Sequence, residues 1–274
     1  MRLASLLFLF ACLSTVNITA QDLHFRDKPL PCLNKKIGIV VHLVQNELGQ
    51  TGIEDDELQQ QLEFINQAFA PICLSFEFCE VREIENWQFD TVDSMAVWDE
   101  LLISYNVPAR INLYYTTSIA FVNDLCGFAT QSAVLTPDTT AGIIIQKSCV
   151  MEGMADLAHQ LGHYFGLSNT FEGNELVVRT DCEVTGDSLC DTPADNFLLG
   201  SAPSRYVDFF RDTCRYVNQE QDPEGQFYCP DVGNYMSNYA QNMAPLPFID
   251  CRCGFTAGQY RKMAANCASA QAGG

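Results

Sequence analysis

His159 and His163 stand four residues apart in the stretch Asp156 to Phe171, DLAHQLGHYFGLSNTF. On a helix, residues i and i+4 share a face, so both imidazoles can reach a single divalent ion. Gly166 marks the end of such a helix, and Asn169 follows three residues later. This is the spacing of the zinc-hydrolase pattern H-E-x-x-H-x-x-G-x-x-H, with two departures. Gln160 holds the place of the glutamate that takes a proton from metal-bound water, and Asn169 holds that of the third histidine. Glutamine is isosteric with glutamate but accepts no proton near neutral pH, and general-base catalysis is worth about 10²–10⁴-fold. A neutral amide oxygen is also a poor zinc donor beside imidazole, so any zinc here would be held weakly. Asp156, one turn before His159, is a candidate to orient that ring or replace a ligand; it also suits a helix N-terminus.

The elements that must position these residues can be read in order. Lys36 to Gln45, KIGIVVHLVQ, is β-branched and apolar and predicts a buried strand, in which His42 is a structural histidine. Thr51 to Ala70 predicts an amphipathic helix opened by Thr51 or Gly52, acidic in its first turn and closed by Pro71. Leu74 to Ile84 alternates as a second strand, with Cys73 and Cys79 near its ends. A short helix around Met95 to Leu102, a strand at Arg110 to Thr116, and short strands at Cys126 to Ala129 and Ala141 to Lys147 follow. The histidine helix then occupies about 154 to 165. Residues 172 to 253 carry little periodicity and many Asp, Asn, Gly, Pro and Cys residues. Such a stretch is expected to rely on disulfides, on calcium or on packing against the first half of the chain. A last helix runs from Thr256, its N-cap, to about Cys267.

Composition bounds the setting. The 274 residues suffice for one large domain. Met1 to Ala20 reads as a secretory signal, with Arg2 before an apolar run and a cut at Gln21; a lipoprotein box at Leu9 to Cys12 is the minor alternative. No other apolar run reaches the roughly 20 residues of a membrane helix. Of 13 cysteines, Cys12 lies in the signal, and the remaining twelve allow up to six disulfides in an oxidising compartment. The net charge of −19 opposes nucleic-acid binding.

Beyond the helix, several motifs occur in a shared order: KIGIVVHLVQ, CGFA at Cys126, GIIIQKSC at Gly142, LAHQLGHYFGLSNTFEG, GDSLCDTPAD at Gly186, NYMS at Asn234 and FTAGQYRKM at Phe255. On these the chain resembles the pappalysin family of metzincin metallopeptidases, as a degenerate member. The resemblance implies an α/β metzincin fold. It would have an upper lobe of about 36–166 with a twisted mixed sheet and two helices, and an irregular, disulfide-rich lower lobe of about 167–268 ending in a C-terminal helix. Residues 21–35 would be a lead-in and 269–274 a tail. The resemblance further implies that Met236 is the methionine of the Met-turn. It places Asn238 where the family has an oxyanion-stabilising tyrosine, with Tyr239 next to it as a substitute. Asp187, Asp191, Thr192 and Asp195 become candidate calcium ligands.

Three departures at chemical positions, with the architectural residues kept, point to a secreted pseudo-metalloprotease that binds peptide or protein partners without cutting them. The alternatives are a zinc endopeptidase with an atypical or weakened site and a disulfide-held extracellular module.

Overall fold

The structure is a computed structural model describing residues 29–121, 126–130, 141–150, 154–173, 176–178, 180–209, 214–241 and 249–269. The expected signal segment with Cys12, the first part of the expected lead-in and residues 270–274 lie outside the described residues.

The described part of the upper lobe is built on a five-stranded sheet: β1 (Lys35–Val44), β2 (Leu74–Ile84), β3 (Ile111–Thr116), β4 (Gly127–Ala129) and β5 (Ile143–Gln146). The spatial order is β2-β1-β3-β5-β4. All neighbours are parallel except β4, which runs antiparallel to β5 at the sheet edge. The apolar run in β1 is explained by burial on both faces. Ile37, Ile39, Val41 and Leu43 face one core, and Val44 faces the other. Cys79 falls inside β2, at the bulge where Ile39 pairs with Phe78 and Val40 with Glu80.

Helices α1 (Asp55–Phe69) and α3 (Met154–Tyr164) cover the first face through Leu58, Ile65, Phe69, Leu157 and Leu161. Helix α2 (Met95–Tyr105) covers the other through Trp98, Leu101 and Leu102. The helix expected from Thr51 starts at Asp55. Glu54 is its N-cap, and its backbone N–H donates to the Glu57 carboxylate at 2.7 Å. The local chemistry that wins is a capping pair three residues apart, which ties down a donor that neither Thr51 nor Gly52 would satisfy.

Helix α4 (Ala257–Ser269) closes the chain against the same core through Tyr260, Met263 and Ala264. Thr256 caps it as expected: its hydroxyl accepts from Gln259 N–H at 3.2 Å, and Gln259 Oε1 accepts from Thr256 N–H at 2.9 Å. Gly258 is required there because the Asp191 carboxylate accepts from its N–H at 2.6 Å, and a Cβ would lie 2.2 Å from Asp191 Oδ1.

The lower lobe corrects one expectation. Between α3 and α4 its described regular structure is limited to a 3-10 turn at Pro203–Arg205 and two-residue strands, yet it holds an aromatic core of its own made by Phe197, Tyr206, Phe209 and Tyr239 with Val207 and Cys251. Periodicity could not reveal it, because these side chains come from irregular backbone. The described cysteines form four disulfides, Cys32–Cys73, Cys126–Cys149, Cys182–Cys190 and Cys214–Cys251. Cys79, Cys229, Cys253 and Cys267 are thiols, so four bridges are present where the cysteine count allowed up to six.

His42 is structural, as its place in a strand implied. It is fully buried, stacks on Tyr114 with ring centroids 4.4 Å apart, and bonds Asn112 Oδ1 through Nε2 at 3.0 Å. Burial holds its pKa below the ordinary imidazole value, so the folded state keeps the ring neutral. As pH falls through about 6.5, the unfolded chain takes up a proton that the folded chain refuses, and stability drops. The unfolding midpoint is therefore expected to fall between pH 7 and pH 5, and to fall less steeply in His42→Phe, which keeps the stack. Equal slopes for the two proteins would refute the assignment.

Candidate metal centre

The histidine helix α3 ends at the residue the sequence singled out. Gly166 adopts φ +86°, a left-handed conformation that favours glycine. Leu167 N–H then bonds Gly162 O at 2.9 Å and Gly166 N–H bonds His163 O at 2.8 Å, which is the hydrogen-bond set of a Schellman end. A Cβ at Gly166 would also meet Asn266 Nδ2 at 2.6 Å. This turn has a chemical consequence: it carries the Leu167 carbonyl back to His163, whose Nδ1 donates to it at 2.9 Å.

His159 is fixed in the same manner from the lower lobe. Its Nδ1 donates to the carbonyl of Tyr235 at 2.7 Å. That carbonyl belongs to a tight turn, Asn234 to Ser237. Asn234 Oδ1 accepts from Met236 N–H at 2.8 Å, and Asn234 O accepts from the Ser237 hydroxyl at 2.8 Å. Met236 is fully buried at the turn's apex. A Cβ added to Gly162 would lie 2.4 Å from its sulfur, so the thioether packs directly on α3 at the residue before His163. The methionine is thus a buried apolar residue packed against the histidine helix.

Because carbonyl oxygens only accept, both Nδ1 atoms carry their hydrogens, and both Nε2 atoms of the neutral rings are acceptors. Those two Nε2 atoms face each other at 3.0 Å. Two lone pairs at that distance repel unless a proton or a metal ion lies between them. Burial, the neighbouring His163 and the Arg252 charge hold the His159 pKa well below its ordinary value.

No third His, Cys, Asp or Glu among the described residues stands with the pair. Among the described residues, the one trio of His, Cys, Asp or Glu whose ligand atoms lie within an ion's reach is Cys126, Cys149 and Asp156, and its two sulfurs are joined in a disulfide. No such residue therefore joins His159 and His163 as a third ligand. Asn169 offers a buried Oδ1 that accepts no hydrogen bond, while its Nδ2 donates to Glu172 Oε1 at 3.2 Å. Gln160 is 2% exposed, and its Oε1 is likewise buried without a hydrogen-bond partner. The set is two imidazoles and neutral amides, which fits a metal through the imidazoles and does not fit the activation of water.

Other expected site residues are placed elsewhere. The Tyr239 hydroxyl donates to Asp195 Oδ1 at 2.7 Å inside the lower-lobe core, so it is committed to packing and is no substitute for the tyrosine missing at the half-buried Asn238. Asp195 also accepts from Thr170 Oγ1 at 2.7 Å and from Phe197 N–H at 3.0 Å. Burial pushes its carboxyl up from the ordinary value despite these donors. Asp191 binds the start of α4, and Asp187 Oδ1 accepts from Leu189 N–H at 3.0 Å. Thr192 is buried. The three carboxylates named for calcium are not gathered around one point among the described residues.

Asp156 is engaged by an arginine of the lower lobe. It meets Arg252 at 2.6 Å, and Arg252 meets Asp250 at 2.8 Å, in an ion cluster whose arginine side chain is 4% exposed. Although burial pulls the other way, the two carboxylates hold the Arg252 pKa above its ordinary value. Sequence reading missed this residue, since an arginine between two cysteines carries no spacing signal. Beside Asn169 a cavity of about 560 Å³ opens, lined by Phe171, Glu172, Phe197, Leu198 and Leu199 among others.

No family model matches the chain. It is 30% identical over 179 residues to an extracellular metalloprotease of Colletotrichum graminicola, covering 59% of this chain and 56% of that relative's length. Extracellular metalloproteases of Podospora anserina (24% identical; 82% of this chain, 79% of the relative) and Pyricularia oryzae (27%; 86% and 76%) are also similar. Among solved structures, a promirolysin mutant of Tannerella forsythia superposes with a TM-score of 0.56 at 16% identity, covering 89% of this chain and 84% of that one. The chain thus has a metzincin-like mixed α/β fold, and its relatives are extracellular metalloproteases. Four disulfides fit such a compartment, and no helix among the described residues is long and apolar enough to cross a membrane.

The contact of Gly162 with Met236 generates a test. Gly162→Ala forces the methionine or the helix to move, and overpacking of this kind costs about 1–3 kcal/mol. Denaturant unfolding should show that loss, while Gly254→Ala, where an added Cβ meets nothing within 4 Å, should be near neutral. Equal stability of the two variants would contradict the packing.

Proposed function

We propose that this protein is a secreted metallopeptidase-like protein that does not hydrolyse peptides and uses its cleft to hold a peptide or protein partner. The observation that carries the reading is the composition of the site. His159 and His163 each bond a main-chain carbonyl through Nδ1, while the positions that the family resemblance gives to base, third ligand and oxyanion donor hold Gln160, Asn169 and Asn238. Each substitution keeps a polar side chain of similar or smaller size, so a cleft survives that a partner can enter. The cavity beside Asn169, with Leu198 and Leu199 both more than half exposed, offers an apolar surface for a partner's side chain. Export follows from the N-terminal signal and the disulfides, and the names of the relatives agree with it.

A weakened zinc endopeptidase is the second reading, favoured by the pre-set imidazoles and by relatives named as proteases. One experiment separates the two. Wild-type protein from an oxidising host, supplied with zinc, is expected to leave a mixed peptide library uncut. Gln160→Glu, Asn169→His and Asn238→Tyr together should bind zinc at least about 10–100-fold more tightly, the range that even second-shell changes command. Cleavage should appear in that triple variant and be lost in its Gln160 counterpart, by the 10²–10⁴-fold value of a general base. Chelator-sensitive cleavage by the wild-type chain would establish the second reading.

A further inference from the structure

We propose that Cys229 and Cys253 pair as a fifth disulfide, a clamp across the base of the turn that carries Tyr235 and Met236. Cysteine accounting narrows the choice. Twelve cysteines follow the expected signal, all twelve are among the described residues, and eight of them are bridged. The remaining four thiols fall in different settings. Cys79 sits in β2 and donates to Ile39 O at 3.3 Å, and Cys267 is buried in α4 with Lys35 Nζ 3.9 Å from its sulfur. Cys229 and Cys253 are both exposed and belong to two lower-lobe segments that run side by side. An oxidising compartment favours the bridging of such thiols.

The backbone brings the two segments into register. Asn234 and Gly254 form a parallel bridge, Cys253 N–H bonds Gly233 O at 2.7 Å, and Tyr235 N–H bonds Gly254 O at 2.7 Å. The Cys253 sulfur lies against the turn that follows Cys229. A Cβ added to Gly233 would come 3.1 Å from that sulfur and 3.4 Å from Asp231 Oδ1. Gly233 thus leaves room for the sulfur beside Asp231, which is two residues from Cys229. Asp231 curls the loop back, since its Oδ1 accepts from Gly233 N–H and its carbonyl from Asn234 N–H, both at 3.1 Å. Pro230 is buried and fixes the backbone between Cys229 and Asp231. Partial burial, with Asp231 and Asp250 adding to it, holds the Cys253 thiol above its ordinary value, which favours a structural role over that of a free nucleophile. The bridge closes a short ring through the Gly233–Cys253 hydrogen bond, two residues ahead of the carbonyl that holds His159 Nδ1.

The oxidant is a small disulfide such as oxidised glutathione. One protein thiolate displaces a glutathione thiolate to give a mixed disulfide, and the second protein thiolate displaces the other. Two protein thiols are oxidised, one disulfide is reduced, and the protons released end on the two glutathione thiols. For the test, the full chain is equilibrated with a glutathione redox buffer, its remaining thiols are alkylated, and it is digested without reduction. Trypsin together with a protease that cuts before aspartate places Cys229 in 222–230, Cys251 in 250–252 and Cys253 in 253–261. Mass spectrometry is expected to find 222–230 joined to 253–261, and to lose that product on reduction. Alkylated Cys229 and Cys253, or either one joined to another cysteine or to a second chain, overturns the pairing. Hydrogen exchange reads the clamp. In the bridged chain the amides of 233–237 should exchange at least about tenfold more slowly than in Cys229→Ser/Cys253→Ser, within the factor that loop-closing bridges command. Equal exchange overturns the clamp. Mapping of the wild-type chain decides the pairing even if the serine variant misfolds. Peptide cleavage by the chain would remove the non-catalytic reading and leave both results untouched.

Discussion

The hydrogen bond from His159 Nδ1 to the carbonyl of Tyr235 joins the two lobes at the floor of the cleft. It runs between a helix that belongs to the upper-lobe core and a turn that belongs to the lower half of the chain. Much of the neighbouring structure serves to keep its ends in place. Asn234 folds the turn through its side-chain oxygen, and its Nδ2 donates to Gln259 Oε1 at 3.0 Å, which ties the turn to the cap of α4. Thr170 N–H bonds Met236 O at 3.0 Å, so the chain leaving α3 is stitched back to the same turn. Breaking the one bond would free a buried carbonyl and a buried N–H together, and each unsatisfied group costs about 1–3 kcal/mol.

The Asp156–Arg252–Asp250 cluster is a second tie between the lobes, with a different character. It sits on the opposite end of α3 from Gly166, next to the Cys126–Cys149 disulfide and one residue from the Cys214–Cys251 disulfide. A buried ion pair is weak evidence for net stability, because desolvation offsets attraction. Its value here is positional. Removing the guanidinium would leave two carboxylates in a place that water hardly reaches, so the arginine cannot be exchanged cheaply once the helix depends on it. The helix is thus held at one end by charge and at the other by a glycine turn, with the histidines between.

Much of this was legible in the sequence and some of it was not. The strands at Lys36 and Leu74, the histidine helix and the Thr256 cap follow from patterns of period two, period 3.6 and capping chemistry, which are local. The Met236 assignment comes from resemblance, and its packing on Gly162 could not be read from local pattern. What stayed hidden depends on residues far apart in the chain. The Tyr239–Asp195 bond spans 44 positions and the lower-lobe aromatic core has no period. Arg252 gives no sign in sequence that it is buried, because arginine is ordinarily exposed. The start of α1 was misplaced because Glu54 and Glu57 cap it as a pair, and glutamate is an uncommon N-cap.

The pattern of retained and altered residues has a physical reading in the site itself. Gly162 and Gly166 sit at contacts of 2.4 and 2.6 Å, so a side chain there forces Met236 or Asn266 to shift, and at Gly166 the left-handed backbone adds strain. Gln160 is under a different constraint. It lies in a nearly dry position, packed so closely on β4 that a Cβ at Gly127 would come within 3.0 Å of its Cγ, and its Oε1 has no hydrogen-bond donor. A glutamate in that place would be a buried carboxylate without a donor, tolerable only when a bound cation or a proton neutralises it. The amide fills the same volume with no charge to desolvate. Gln160 therefore suits this nearly dry position without needing a cation or a proton beside it.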